Sequence, residues 1–289
     1  MAIDRIEATY ACVTCAIGSL VTLFEKGLVP EAKKDLTMRA VLKYFSDLEY
    51  KQSPPRIGKE MHRVIREVIG NDDPYKEVKA HFNQFLLDQL PELKQRVIAA
   101  DDPFQLALRL AIAGNIIDFG PNEKFDIDAT MEKAKSVSPA IDDSEGLRRA
   151  ISGATSILYL GDNAGEIVMD RLFLETIRHP NVYFAVRHSP IINDVTFEDA
   201  RMVGIDRMAT VISNGDNAPG TILENTSAEF QELFNGVDLI ISKGQGNFEG
   251  LSVCQRNIYF LLMVKCDHVG SFLKVKKGDF VVKKGNAVK

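Results

Sequence analysis

The apolar residues of this chain change period once, and that change limits the folds open to it. From Ile3 to about Phe119 the spacing is helical: Met61, Val64, Ile65, Val68 and Ile69 form an i, i+3, i+4, i+7, i+8 stripe, and Val78, Phe82, Phe85 and Leu86 repeat it. This predicts a helical bundle whose helices end at Ser53-Pro54-Pro55, Asn71-Asp72-Asp73-Pro74 and Asp101-Asp102-Pro103, since proline and short polar residues break helices. Further on, short apolar runs at 155–160, 181–186, 209–213 and 237–242 are each followed by a Gly, Asn or Asp loop and, in most cases, a helix-period segment. Continuous apolar strands alternating with helices imply a parallel sheet covered on both faces. The expected architecture is therefore α/β: a helical domain over residues 1–125, then a Rossmann-like α/β/α sandwich with a mainly parallel sheet over 126–289. The tail from Phe272 to Gly285 reads as a closing strand pair that turns at Gly278-Asp279.

Composition narrows the partners. With 45% hydrophobic and 26% charged residues over 289 positions, a globular core needs no staples, and a formal charge of -5 gives no bulk attraction to nucleic acid or an anionic membrane. A small molecule is the expected partner. The N-terminus carries acids where a secretory signal is basic then apolar, and no run reaches the roughly 18 apolar residues of a membrane span, so the expectation is a cytoplasmic chain. Four cysteines, Cys12, Cys15, Cys254 and Cys266, are too scattered for a disulfide framework.

In open parallel sheets the ligand lies beyond the carboxyl ends of the strands, where successive loops converge. The four exits are 161–166 (GDNAGE), 187–199 (RHSPIINDVTFED), 214–221 (NGDNAPGT) and 243–250 (KGQGNFEG). Turn and capping chemistry explains any one of them alone, and Thr196 with Asp199 reads as a capping box. Four such loops at one edge form a candidate site. The first resembles a phosphate-binding turn, yet Asp162 stands where a phosphate is expected. A divalent cation between the two anions removes the conflict, and the oxygens of Asp162, Asn163 and Asp194 suit Mg²⁺ or Mn²⁺. Gly161 and Gly165 let the backbone approach a ligand, and a helix beginning near Glu166 points its positive end at the phosphate. Lys243, at the last exit, is read as a flexible cation that balances charge on the phosphoryl oxygens. Gly161, Glu166, Asn193, Gly215, Gly244 and Asn247 are the candidate substrate-binding positions.

The segments LGDNAGEIVMD, PIINDVTFEDA, SNGDNAPGT, ISKGQGNFEGL and, in the helical half, AIAGNIIDFG resemble the motifs of the metal-dependent damage-control phosphatase family, first catalogued as domain of unknown function 89. CVTC near the N-terminus and the compact length resemble its stand-alone, cysteine-bearing branch. The resemblance implies a helical domain on an α/β/α domain, one divalent metal on Asp162, Asn163 and Asp194, and hydrolysis of phosphate esters of small metabolites supported by Mn²⁺, Co²⁺ or Ni²⁺. It also implies that Asn115 and Asp118 face the metal from above. Asp118 between Ile117 and Phe119 is hard to place as a plain helix end, because an acid among apolar neighbours must find a partner or solvent.

His62, His81, His179, His188 and His268 lack zinc-type spacing and are expected to be structural. Cys12 and Cys15 share a helical face and read equally as buried small hydrophobes, a redox pair or half of a metal site, with Cys266 as a third member. Two other functions stay open: a non-enzymatic sensor of phosphometabolites, and a Rossmann-type methyltransferase, which would want a G-x-G turn and an acid ending the next strand. Substrate, preferred metal and oligomeric state are not written in these motifs.

Overall fold

The structure is a computed structural model and describes residues 5–114 and 127–285. Six helices come first: α1 (Tyr10–Glu25), α2 (Lys34–Ser46), α3 (Pro54–Ile69), α4 (Lys76–Ile98), α5 (Pro103–Ala113) and α6 (Ile127–Ser136). The predicted apolar stripes face inward, with Met61, Ile65 and Ile69 buried on α3 and Phe82 and Leu86 on α4. Two of the prolines read as stops are starts: Pro54 and Pro103 are the first residues of α3 and α5. A first-turn proline loses no helical hydrogen bond, and the Asp102 carboxylate accepts the Gln105 amide at 3.1 Å to cap α5.

The rest alternates: β1 (Ile141–Asp142), α7 (Ser144–Gly153), β2 (Ile157–Leu160), α8 (Glu166–Ile177), β3 (Val182–Val186), α9 (Phe197–Val203), β4 (Thr210–Ser213), α10 (Ala228–Gly236), β5 (Leu239–Lys243), α11 (Gln245–Leu251), β6 (Ile258–Met263), α12 (Asp267–Leu273) and β7 (Phe280–Lys284). The strands form one sheet in the order β1-β7-β6-β5-β2-β3-β4, parallel throughout except β6 against β7. All four predicted strands are present. The predicted closing pair is corrected: Phe272 and Leu273 end α12, and β7 pairs with β6, whose run Ile258–Met263 is the partner strand. An apolar run of that length carries no period to separate strand from helix, which is why β6 went unread.

Every residue of β2 and β5 is buried, as in a sheet covered on both faces. Successive side chains serve opposite cores: Ile157 and Tyr159 pack with α4, α5 and α8, while Leu158 and Leu160 pack with α10, α11 and α12. Helices α4 and α5 therefore share a core with the sheet, whereas α1 to α3 enclose a separate one around Leu20, Val41 and Ile65. The expected boundary at residue 125 lies outside the described residues. Among the described residues no helix is long and apolar enough to cross a membrane.

Candidate active site at the carboxyl edge of the sheet

β2 sits between β3 and β5, so the chain leaves β2 toward β3 and β4 and later returns to β5 on the other side. This reversal opens a crevice between the β2 and β5 exits. Backbone bonds lace the β2 exit to the loop after β3: Ala164 N–H donates to Asn193 O at 2.8 Å, Val195 N–H to Asp162 O at 2.9 Å, and Asn163 and Asp194 form an antiparallel bridge. The lacing brings the three predicted metal ligands together. Ile192, just before this bridge, has φ 46°, a left-handed conformation that strains a β-branched residue and is held only by its surroundings.

From β5, Gly244 closes the other wall. Its φ is 79°, and a Cβ there would overlap the Asp162 carboxylate, so only glycine lets the β5 exit approach Asp162. At Gly161 a Cβ would stand 2.8 Å from Val195 Cγ2, and at Gly215 2.5 Å from Ser227 Cβ, so protein packing by itself requires glycine at both. The Asn163 amide donates to Asp162 Oδ2 at 2.7 Å and to Glu166 Oε2 at 3.1 Å. The turn before α8 uses its amides internally: Gly165 N–H donates to Asn83 Oδ1 of α4 at 2.6 Å. The Gly165 and Ile167 amides at this helix start are thus occupied, leaving the helix dipole.

Two buried cations flank this centre. Lys243 ends β5, is fully buried, and donates to Glu166 Oε1 and Asp170 Oδ1, both at 2.5 Å. Tyr159 donates to the same Asp170 oxygen at 2.7 Å. Burial disfavours the ammonium, but Asp170 and Glu166 outweigh it and hold Lys243 above its ordinary pKa. Glu166 is pushed up to about 8, by burial first and by Asp162 and Asp170 against the pull of Lys243. Lys243, read as a flexible cation opposite the metal loop, is instead fixed: at the end of a central strand it is held by two acids one helical turn apart on α8.

The second cation, Arg187, was not singled out in the sequence. It leaves β3 buried and donates through Nε to Asp194 Oδ2 at 2.7 Å, with its other nitrogens 3.1 Å from Asn247 Oδ1 and 3.4 Å from Thr221 Oγ1. Asn247 in turn donates to Lys243 O at 2.7 Å and Gly161 O at 3.2 Å, tying α11 to both strand ends. Burial raises Asp194 to about 7, with Arg187 opposing and Asp162 adding to the rise. Glu249 on α11 is raised to about 7, again by burial first.

Five buried carboxylates, Asp162, Glu166, Asp170, Asp194 and Glu249, thus surround two buried cations, Lys243 and Arg187. These acids cannot all ionise out of water without further positive charge, which is why burial raises Glu166, Asp194 and Glu249 even with Lys265 nearby. Among the described residues no three His, Cys, Asp or Glu side chains form a ready-made metal cage. The expected set is different in kind, two carboxylates and an amide, and its oxygen chemistry together with the charge excess fits a hard divalent cation. The four cysteines are free thiols; partial burial first, then Cys266 and Cys12, raises Cys15 above its ordinary pKa.

The helical half caps the edge. Lys79 and Asn83 of α4 bond Asp199 at 3.2 and 2.9 Å, and Asp199 also completes its expected capping box with Thr196. On α3, Lys59 pairs with Asp216 and Arg66 donates to Pro190 O at 2.6 Å. Asn115 and Asp118 lie outside the described residues; Gly114, which precedes them, packs against Glu166. Of the missed residues, Asp170 was legible as the i+4 partner of Glu166, and Arg187 as a charge ending an apolar strand. Asn83 carried no signal, because its role depends on how α4 docks.

Residues 8–281 match the damage-control phosphatase ARMT1-like domain. A damage-control phosphatase of Pyrococcus horikoshii is 36% identical over 284 residues, covering 95% of this chain and 97% of that protein. One of Archaeoglobus fulgidus is 33% identical over 285 residues, covering 94% and 97%. The crystal structure of a DUF89 family protein from Pyrococcus horikoshii matches with a TM-score of 0.88 at 34% identity, over 98% of this chain and all of that one.

Proposed function

Because the chain belongs to the damage-control phosphatase ARMT1-like family, we propose that it is a cytoplasmic, metal-dependent phosphatase that hydrolyses phosphate esters of small metabolites, sugar phosphates or damaged phosphometabolites, in the β2–β5 crevice. The observation that supports the metal is the excess of buried carboxylates over cations around Asp162. Asp162, Asn163 and Asp194 would hold a divalent ion, Mn²⁺, Co²⁺, Ni²⁺ or Mg²⁺. When bound, such an ion supplies Lewis-acid stabilisation of charge on the phosphoryl oxygens.

The chain's own residues do the rest. Arg187 fixes the Asp194 carboxylate and, through Asn247, the start of α11. Lys243 acts as a positioning residue: it holds Glu166, which orients the Asn163 amide, and so reaches the phosphate only through them. Asn193, Gly244 and Asn247 are the proposed ester contacts from the sheet edge, and Asn115 and Asp118 those from the helical half.

A panel of sugar phosphates and other metabolite esters, assayed with each divalent ion and after exhaustive EDTA treatment, tests the proposal. We expect phosphate release with metal and none without. Full activity in the stripped protein would remove the metal from the reaction, and binding of esters without any turnover would favour the sensor reading.

A further inference from the structure

A cavity of about 1010 Å³ is lined by the N-terminal segment, Phe248 of α11, α12 and the end of β7. Its floor is aromatic. Phe248 meets Phe260 edge-on at 5.0 Å between ring centres and Phe272 at 6.0 Å, and Phe248 and Phe260 are buried. The wall is held in place rather than loose, since His268 Nε2 lies 2.9 Å from Glu7 O and the Ala8 amide donates to Gln52 O at 2.8 Å.

The rim is cationic. Arg5, Lys274 and Lys283 line it against one carboxylate, Glu7. Arg5 already bonds Glu224 at 3.3 Å, whereas the Lys274 and Lys283 side chains have no ion pair or hydrogen bond among the described residues. In the wall, the buried Ser252 hydroxyl has no partner, an unfavourable state for a polar group out of water. An apolar floor of this size with a few polar groups is the usual form of a small-molecule site.

We propose that this cavity is a second binding site, for an organic anion with an aromatic or aliphatic body and one anionic head. The body packs against Phe272, which the buried Phe248 and Phe260 back, and the carboxylate, sulfonate or phosphate head pairs with Lys274 and Lys283. Phe248 joins Phe272 to α11 next to Asn247, which ties that helix to the crevice.

The probe is 8-anilinonaphthalene-1-sulfonate, with its uncharged analogue N-phenyl-1-naphthylamine, titrated into the folded full chain. The expected result is a fluorescence rise that saturates at one equivalent of the sulfonate. The Lys274→Ala/Lys283→Ala variant should weaken it at least fivefold at an unchanged melting temperature, and the neutral dye should bind at least fivefold more weakly than the sulfonate. No saturable rise, a rise that the double variant leaves untouched, or equal binding of both dyes overturns the proposal. Because no phosphatase assay enters the test, its failure is separate from failure of the reading of the crevice.

Discussion

Lys243 and Arg187 are both buried cations at strand ends of one sheet edge, yet they are held in different ways. Lys243 is a point charge between two carboxylates, with Tyr159 sharing one of them. Arg187 spreads its planar fork over one carboxylate and two neutral oxygens. The compact ammonium suits charge neutralisation inside the core, and the fork suits holding three separate segments in register. Lys243 thus carries mainly the stability of the centre, and Arg187 mainly its geometry.

The largest effect should follow removal of Lys243. Lys243→Met leaves Glu166 and Asp170 buried together without a cation, a loss of about 3–5 kcal/mol for a broken buried pair. Thermal unfolding should show a fall of roughly 10 °C for a chain of this size. Adding Glu166→Gln should recover part of that fall; if the single variant melts like the parent, the lysine does not carry the stability assigned to it.

Arg187→Gln unpairs one carboxylate instead of two, so its melting temperature should fall less than that of Lys243→Met. Its signature lies elsewhere: divalent-metal affinity should drop roughly 10- to 100-fold, as when an outer partner of a metal ligand is removed. Calorimetric titration of Mn²⁺ measures this, and an unchanged affinity would reduce Arg187 to a packing role.

A smaller effect separates the site from the cap. His62 on α3 is buried, and burial first, then Arg66, lowers it to about 3 from the ordinary 6.5. The folded chain therefore keeps the imidazole neutral where the unfolded chain is protonated, so stability is full above about pH 6.5 and declines as pH falls toward 3. His62→Leu should remove up to about 1.4 kcal/mol of this loss for each pH unit below about 6.5. Parallel denaturant curves of parent and variant between pH 7 and 4 check it; identical slopes would mean that the ring is hydrated in the folded chain.

What the sequence made legible follows the same division. The period change, the four strands and the glycine loops at one edge were readable because each is local, and the loops carrying Asp162, Asn163 and Asp194 do meet. The burial of Lys243 was not readable, since a lysine at a strand exit looks the same whether two acids wait above it or solvent does. Asp170 lay one helical turn beyond Glu166, within reach of inspection. Asn83 and Lys59 acquire their partners only when α4 and α3 dock, and nothing in their own segments marks them. The aromatic cavity beside α11 likewise assembles from positions near residues 6, 141, 250 and 270, too far apart along the chain for any motif.

The central claim is that the crevice between β2 and β5 is built around a divalent ion. Equilibrium binding of Mn²⁺ to the parent, Asp162→Ala and Asp194→Ala chains, each shown to be folded by circular dichroism, tests it most directly. The parent should bind one equivalent and both variants none in the same concentration range. A variant that folds and binds Mn²⁺ as the parent does would contradict the account.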